Sequence, residues 1–541
     1  LRNLEHRLQY LEDAQTQTLP TQAADCELIA QAMGFADWGK FSAELDVHRT
    51  RVEAHFGEIF STDTQATASD SPWLLEDGAA EALATLGYAE PARAAAQLAN
   101  LKQSQRYLNL PANSRARFDA LLPRIIVEAV HHGDSTETLT RMITLMETIS
   151  RRESYLALLV EYPDTLTHVA RVCGASPWAA DYLTHHPILL DELLDTRTLM
   201  EKRDWPQLAR GLREALGDSP DTERQMDTLR NFKHAQTFHL LAQDLEGVLP
   251  IETLSDELTA LAQCILEEVL RIAWLSLSKK HCATPRFAVI GYGKLGGKEL
   301  GYASDLDIIF LYDDPDPLAP ETYARLAQRI NSWLTTLTPA GTLYETDLRL
   351  RPDGAAGLLV SSVAAFDEYV KQKAWVWEHQ ALTRARFAAG DPVIGAHFEA
   401  IRREIICMPR AVSTLRQEVT TMRQKMHDAH INQSPLFDLK HDAGGIVDVE
   451  FLVQFLVLAY ASNHPGLADN VGNLALLARA ADYGLVDKGL ADSARTAYRA
   501  FRTLQHRERM QGKVQARVDA TGVARHVQNV QALWAALLGE C

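Results

Sequence analysis

The chain has 541 residues, and 54 Lys and Arg against 71 Asp and Glu leave a formal net charge of −17. Its 46% hydrophobic and 23% charged residues suit a globular protein of roughly three or four domains, which excludes wholesale disorder, collagen-like repetition and a disulfide-stapled miniprotein. The acidic balance argues against broad, charge-driven attachment to nucleic acid or anionic membranes, since both need a basic face.

In chain order, Leu1 already falls in what reads as mid-helix, which predicts a piece of a longer protein with no signal peptide in view. Helical stripes cover roughly 5–60, 80–130, 225–280 and most of 400–541, and Met142, Leu145, Met146, Ile149, Leu156, Leu159 and Val160 continue the same period. The Ser/Thr/Asp-rich stretch Ser61 to Pro72 is the best linker candidate, and turns are expected at Tyr162-Pro163, Ser176-Pro177, His186-Pro187 and Pro465-Gly466. The pairs His131-His132 and His185-His186 lack metal-ligand spacing and read as surface residues.

Between these helices the period changes. Phe287 to Ile290 is a short apolar run ending in glycines, Asp305 to Tyr312 is β-branched and aromatic, Leu343 to Leu350 alternates, and Leu358 to Val360 adds a further strand. A small mixed sheet over roughly 285–362 is therefore expected inside an otherwise helical chain, with the active site beside its glycine loop. Trp375 and Trp377 are expected to pack between sheet and bundle. Phe451 to Ala461 is the longest apolar run, about half the roughly 20 residues that a membrane span needs. The six cysteines are dispersed without a C-x-x-C pair, which fits reduced thiols in the cytoplasm. A faint echo links Leu1 to Arg7 with Phe501 to Arg507, where Arg, Leu, His and Arg match in register.

Gly291, Gly293 and Gly296 fit the dinucleotide fingerprint G-x-G-x-x-G, but the next strand follows too soon for the crossover helix that fold requires. The stronger signal is Asp305 and Asp307. Residues i and i+2 of a strand share a face, and two adjacent carboxylates repel each other unless a cation lies between them. Mg²⁺ with phosphate oxygens suits that arrangement. On the next strand Glu345, Asp347, Arg349 and Arg351 share a face, so Asp347 is the candidate third metal ligand, and Arg349 and Arg351 offer guanidinium forks to phosphate. At Gly296-Gly297 backbone N–H groups are free to approach a triphosphate, with Lys294 or Lys298 adding charge. The plain alternatives are a solvated Asp pair, an ordinary glycine turn and surface arginines. The order strand, Gly-Gly, short helix, D-x-D strand, third Asp strand is similar to the nucleotidyltransferase fold. Asp448 and Glu450 open an apolar helix after Gly444-Gly445; they either serve its N-terminus or, with Lys440, help close that helix over the nucleotide.

Gly293 to Gly297 with Ser304 to Asp307, Asp347 to Gly354, Trp377 to Arg386 and Asp438 to Glu450 resemble the bacterial glutamine synthetase adenylyltransferase family. Ser150 to Tyr155 and Ser176-Pro-Trp178 are similar to its middle region, so the likeness runs along nearly the whole chain. The resemblance implies a mainly α chain with an embedded α/β nucleotidyltransferase core (a small mixed sheet) followed by a helical bundle. It divides the chain into the tail of a preceding bundle (1–60), a helical regulatory region (61–215), the catalytic domain (216–395) and a C-terminal bundle (396–541).

The activity implied is transfer of AMP from ATP to a tyrosine of glutamine synthetase, with release of pyrophosphate, by an attaching head. The alternatives are the family's removal of AMP by phosphorolysis and a nucleotide-binding scaffold without transfer. The resemblance makes Asp305, Asp307 and Asp347 the Mg²⁺ ligands and catalytic groups. Gly296, Gly297, Lys294, Ser304, Arg349, Arg351, Lys440 and Asp448 are the nucleotide-binding candidates. Its implied partners are glutamine synthetase, the PII signal protein and glutamine as effector, in the cytoplasm, with neither nucleic acid nor membrane.

Overall fold

The computed structural model describes Leu4, Leu8 and residues 19–20, 22–60, 71–75, 78–194, 199–217 and 221–539. Most of the linker expected over Ser61 to Pro72 and most of the Leu1 to Arg7 echo lie outside the described residues, and Ser71 and Pro72, which are described, are buried. The chain divides into two compact units, Leu1–Leu86 and Gly87–Cys541. In the first, helices Ala23–Ala32 and Trp38–Phe60 enclose a small core of Ile29, Ala30, Phe41 and Leu45 with Leu4 and Leu8.

The second unit begins with a run of helices from Pro91–Gln103 to Trp205–Leu216. Two long helices follow, α1 (Thr222–Leu245) and α2 (Ile251–Leu275). Arg230 of α1 is fully buried and donates to the carbonyls of Met226, Trp333, Thr336 and Gly341. It thereby satisfies orphan acceptors at the C-terminal end of helix Ala319–Thr335.

The sheet holds β1 (Phe287–Gly291), β2 (Leu306–Tyr312), β3 (Thr346–Asp347), β4 (Val360–Ser362) and β5 (Arg386–Gly390). β1 is buried at all five positions, as its continuous apolar run requires of a central strand. It pairs antiparallel with β2 on one side and with β5 on the other. β3 and β4 both pair in parallel with β2, at different points along the same edge. The sheet is thus mixed, and it extends to Gly390 rather than ending near 362. Only two residues of the expected strand 343–350 are extended, because Arg349 N–H turns back to Asp347 Oδ1 at 2.8 Å and takes the chain off the edge.

After β5 the chain returns to helices: α3 (Pro392–Ile406), α4 (Val412–Asp428), α5 (Ile446–Tyr460), α6 (Asn473–Asp482), α7 (Lys488–Met510) and α8 (Ala520–Leu538). Asp391, Asp487 and Asp519 cap α3, α7 and α8 with their side chains. α5 is buried almost all round, so the long apolar run is the centre of a bundle. Among the described residues no helix is long and apolar enough to cross a membrane.

Candidate functional site

β2 begins where β1 turns back through a one-turn helix, Gly293–Gly296, which is too short for a dinucleotide crossover. Asp307 lies second on β2, and its Cα partner on β3 is Asp347; Asp305 precedes the strand by one residue. The pairing therefore sets two carboxylates side by side, with a third two residues away. Gly293 has φ +52, and a Cβ there would fall 2.1 Å from Asp307 Oδ2, so the carboxylate rests directly over this glycine.

Burial, and then the charges of Asp305 and Asp347, push the Asp307 carboxyl up to about 6, against the partial relief given by Lys294 and Arg384. Asp347 shifts the other way. Its carboxylate accepts from Arg349 Nε at 3.0 and 2.9 Å, and those hydrogen bonds hold it below the usual carboxylate range. Asp347 is thus engaged by Arg349, and the three carboxylates do not bring their oxygens within 4.8 Å of one another. Among the described residues the one group of three or more His, Cys, Asp or Glu side chains with ligand atoms within 4.8 Å of one another is His281, Cys282 and Asp314. As a donor set the three aspartates still suit a hard divalent ion, because they are oxygen ligands whose crowding already penalises the charged form of Asp307.

Beside the carboxylates opens a cleft of about 540 Å³ between the glycine loop and the C-terminal bundle. Six cations line it: Lys294, Lys440, Arg502, Arg509, Lys513 and Arg517. Against them stand the carboxylates of Glu299 and Asp438. In a chain of net charge −17 this wall is a local reversal of sign, and it is suited to a polyphosphate. Enclosure, then Lys440 and Arg502, holds the Lys294 ammonium below its ordinary value. Ser304 also lines the cleft, its hydroxyl accepting from Gly301 N–H at 2.9 Å.

Other expected residues sit elsewhere. The N–H groups of Gly296 and Gly297 donate to the carbonyls of Tyr292 and Gly293, so they are not free to cradle phosphate. These glycines serve close packing instead: a Cβ on Gly296 would meet the Arg384 carbonyl at 1.9 Å, and one on Gly297 the Arg384 guanidinium at 2.8 Å. Arg351 donates to Leu348, Ala355 and Gly357 carbonyls and so folds its own loop. Asp448 accepts from Gly444 N–H and from Arg423 in a pair whose side chains are each 6% exposed, away from the cleft. Trp375 is 70% exposed rather than packed between sheet and bundle. His186 is half-buried and stacks on His234 at 3.6 Å, so it is not a surface residue.

Sequence reading missed the support beneath the loop. Glu299 accepts from Tyr498 at 3.0 Å and pairs with Arg502 at 3.2 Å and with Arg384. Arg384 also pairs with Glu450 at 2.6 Å. Burial pushes the Glu299 carboxyl up, but Arg384 and Arg502 outweigh it and hold it below its usual range. Tyr302, at the cleft's rim, stacks on Trp178 with centroids 5.0 Å apart and donates to Asp244, which also accepts from His506. The advance signals for these contacts were Trp178, Glu450 and the stretch that contains Arg384.

Residues 166–401 match the family model described as glutamate-ammonia ligase adenylyltransferase. Residues 1–60 and 411–518, which include both stretches of the echo, match a model described as GlnD PII-uridylyltransferase. A protein of Chromobacterium violaceum, named bifunctional glutamine synthetase adenylyltransferase/adenylyl-removing enzyme, is 53% identical over 525 residues, which cover 96% of this chain and 58% of that protein. Proteins of the same name from Aromatoleum aromaticum and Nitrosomonas eutropha are 53% and 50% identical, over 100% and 97% of this chain and 58% of each relative. The chain thus spans under two thirds of the length of these relatives.

Proposed function

We propose, for a chain that belongs to the glutamine synthetase adenylyltransferase family, that its sheet and C-terminal bundle transfer AMP from ATP to a tyrosine of glutamine synthetase and release pyrophosphate. The observation that carries this reading is the junction of two opposite fields. The carboxylates of Asp305, Asp307 and Asp347 do not themselves line the cationic cleft, but its wall reaches Ser304, the residue before Asp305, and Lys294, whose charge acts on Asp307.

Asp305, Asp307 and Asp347 would hold Mg²⁺, which when bound supplies Lewis acidity at the phosphates and at the attacking oxygen. The chain's own residues do the rest. Lys294 and Lys440 hold the triphosphate by charge, and Ser304 offers a hydroxyl at the cleft wall. Gly293 leaves the space that Asp307 occupies, and Arg384 fixes the turn from below. Arg349, once parted from Asp347, offers its fork to phosphate oxygen. The nucleophile is the tyrosine hydroxyl of the protein substrate, so no nucleophilic side chain is required of this chain.

The five described cysteines are all free, which supports a reducing compartment, the cytoplasm. The PII signal protein and glutamine, as regulators, rest on the resemblance of the sequence motifs alone.

The test uses glutamine synthetase, Mg²⁺ and ATP labelled at the α-phosphate, with wild type and Asp305→Asn. Label on a synthetase tyrosine, pyrophosphate in solution and a dead variant support the reading. Loss of label from pre-modified synthetase, with ADP formed from added phosphate, would make this the removing direction. Neither reaction would leave a nucleotide-binding scaffold.

A further inference from the structure

At the opposite end of β2 from the catalytic candidates, His281, Cys282 and Asp314 lie together. One ligand atom from each falls within 4.8 Å of the other two. The His281 side chain is 2% exposed and that of Asp314 7%, with an Nε2 to Oδ2 distance of 2.9 Å. His281 Nδ1 is buried with no hydrogen-bond partner, so the imidazole is only half satisfied. Cys282 Sγ donates to Thr284 O at 3.1 Å and lies 3.9 Å from the Tyr323 hydroxyl. That hydroxyl in turn donates to Asp314 at 2.9 Å. Trp274 and Tyr323 meet the imidazole edge-on and wall the group with apolar rings.

We propose that His281, Cys282 and Asp314 form a second metal site, for a single divalent transition ion of zinc type, separate from the aspartate row. Nitrogen, sulfur and carboxylate oxygen together are the donor set of zinc rather than of magnesium, which takes oxygen alone. Charge balances: the thiolate and the carboxylate together neutralise a dication, and the imidazole binds as the neutral ring. Binding releases the Cys282 thiol proton, and any proton on His281, to solvent. At about 3.3 Å per residue, the end of β2 at Tyr312 lies about 17 Å from Asp307, and Asp314 follows it, so the two sites do not share an ion. The ion would tie the segment entering β1, whose Arg286 N–H donates to the Tyr323 hydroxyl, to the loop leaving β2.

The test titrates the purified full chain with Co²⁺ alone, then with Zn²⁺ alone. The expected result is one equivalent of Co²⁺ with a thiolate-to-metal charge-transfer band. The band persists in the Asp305→Asn/Asp307→Asn variant and is lost in Cys282→Ser and in His281→Ala. Absence of the band, or its persistence in Cys282→Ser, overturns the proposal. A second measurement needs no variant: Zn²⁺ should slow alkylation of Cys282, followed by peptide mass, by about tenfold or more. An unchanged rate likewise overturns it.

Discussion

Asp307 occupies the space a side chain on Gly293 would need, with its Oδ2 2.1 Å from the position of that missing Cβ. The glycine's positive φ and the carboxylate's placement are one arrangement, because neither survives a methyl group there. Gly293→Ala should lower kcat/KM for AMP transfer by about 100-fold or more, while left-handed strain costs only about 1 kcal/mol of stability. Steady-state kinetics beside a denaturation curve separates the two effects. A variant that unfolds, or one that keeps full activity, contradicts the argument.

The raised Asp307 carboxyl makes a pH prediction. With a value of about 6 in the folded chain against 3.8 as reference, the folded state binds more protons between those limits. Stability of the metal-free chain therefore falls from this group as pH rises from about 4 to 6, and the penalty is constant above. Asp307→Asn should raise the metal-free Tm at pH 7 and leave it almost unchanged near pH 4. Affinity for Mn²⁺ should rise through the same window. The check is melting at both pH values with and without the ion.

Arg349 competes with any ion for Asp347, since its guanidinium and its N–H both bind that carboxylate. The arginine is 79% exposed, which limits the strength of the pair. Arg349→Ala should tighten Mn²⁺ binding by on the order of twofold to fivefold while slowing AMP transfer. Titration and turnover moving in the same direction would refute a role for this arginine at phosphate.

Beneath the glycine turn, Glu299 neutralises both Arg384 and Arg502. Glu299→Gln should destabilise the chain by about 3–5 kcal/mol, because it leaves two arginines facing each other out of water. Urea denaturation measures this directly, and a loss below about 1 kcal/mol would mean that Glu450 alone sustains the network.

Trp178 belongs to the helical region before the sheet, yet it stacks on Tyr302 at the cleft's rim. Trp178→Ala should raise KM for ATP by about fivefold, the weight of one aromatic pair, with kcat within twofold. An unchanged KM would mean that Asp244 alone holds the Tyr302 loop.

The acidic strand was legible in place, since Asp307 falls on β2 opposite Asp347, whereas Asp305, expected on the same face, lies one residue before the strand. Its partner strand was readable in position and not in extent. Periodicity ran on to Leu350, whereas the Asp347 side chain captures Arg349 N–H and ends the strand. β5 left no pattern, since Arg-Phe-Ala-Ala-Gly has neither alternation nor β-branching and becomes a strand only by lying against β1. The cations of the cleft were unreadable for a different reason. Lys294 is joined by Arg502, Arg509, Lys513 and Arg517 from more than 200 residues away, and only the packing of α7 against the core brings them together. Arg351 and Asp448 look like ligands in a motif, but each satisfies nearby backbone first.

The two halves of the cleft also differ in when they exist. On the ribosome the aspartates emerge well before the stretch from Lys440 to Arg517, so a growing or prematurely terminated chain carries the acidic row without its cationic wall. Such a product would repel nucleotide instead of retaining it. Under the proposed reaction, the cationic wall is complete only once the stretch from Lys440 to Arg517 has packed against the glycine turn.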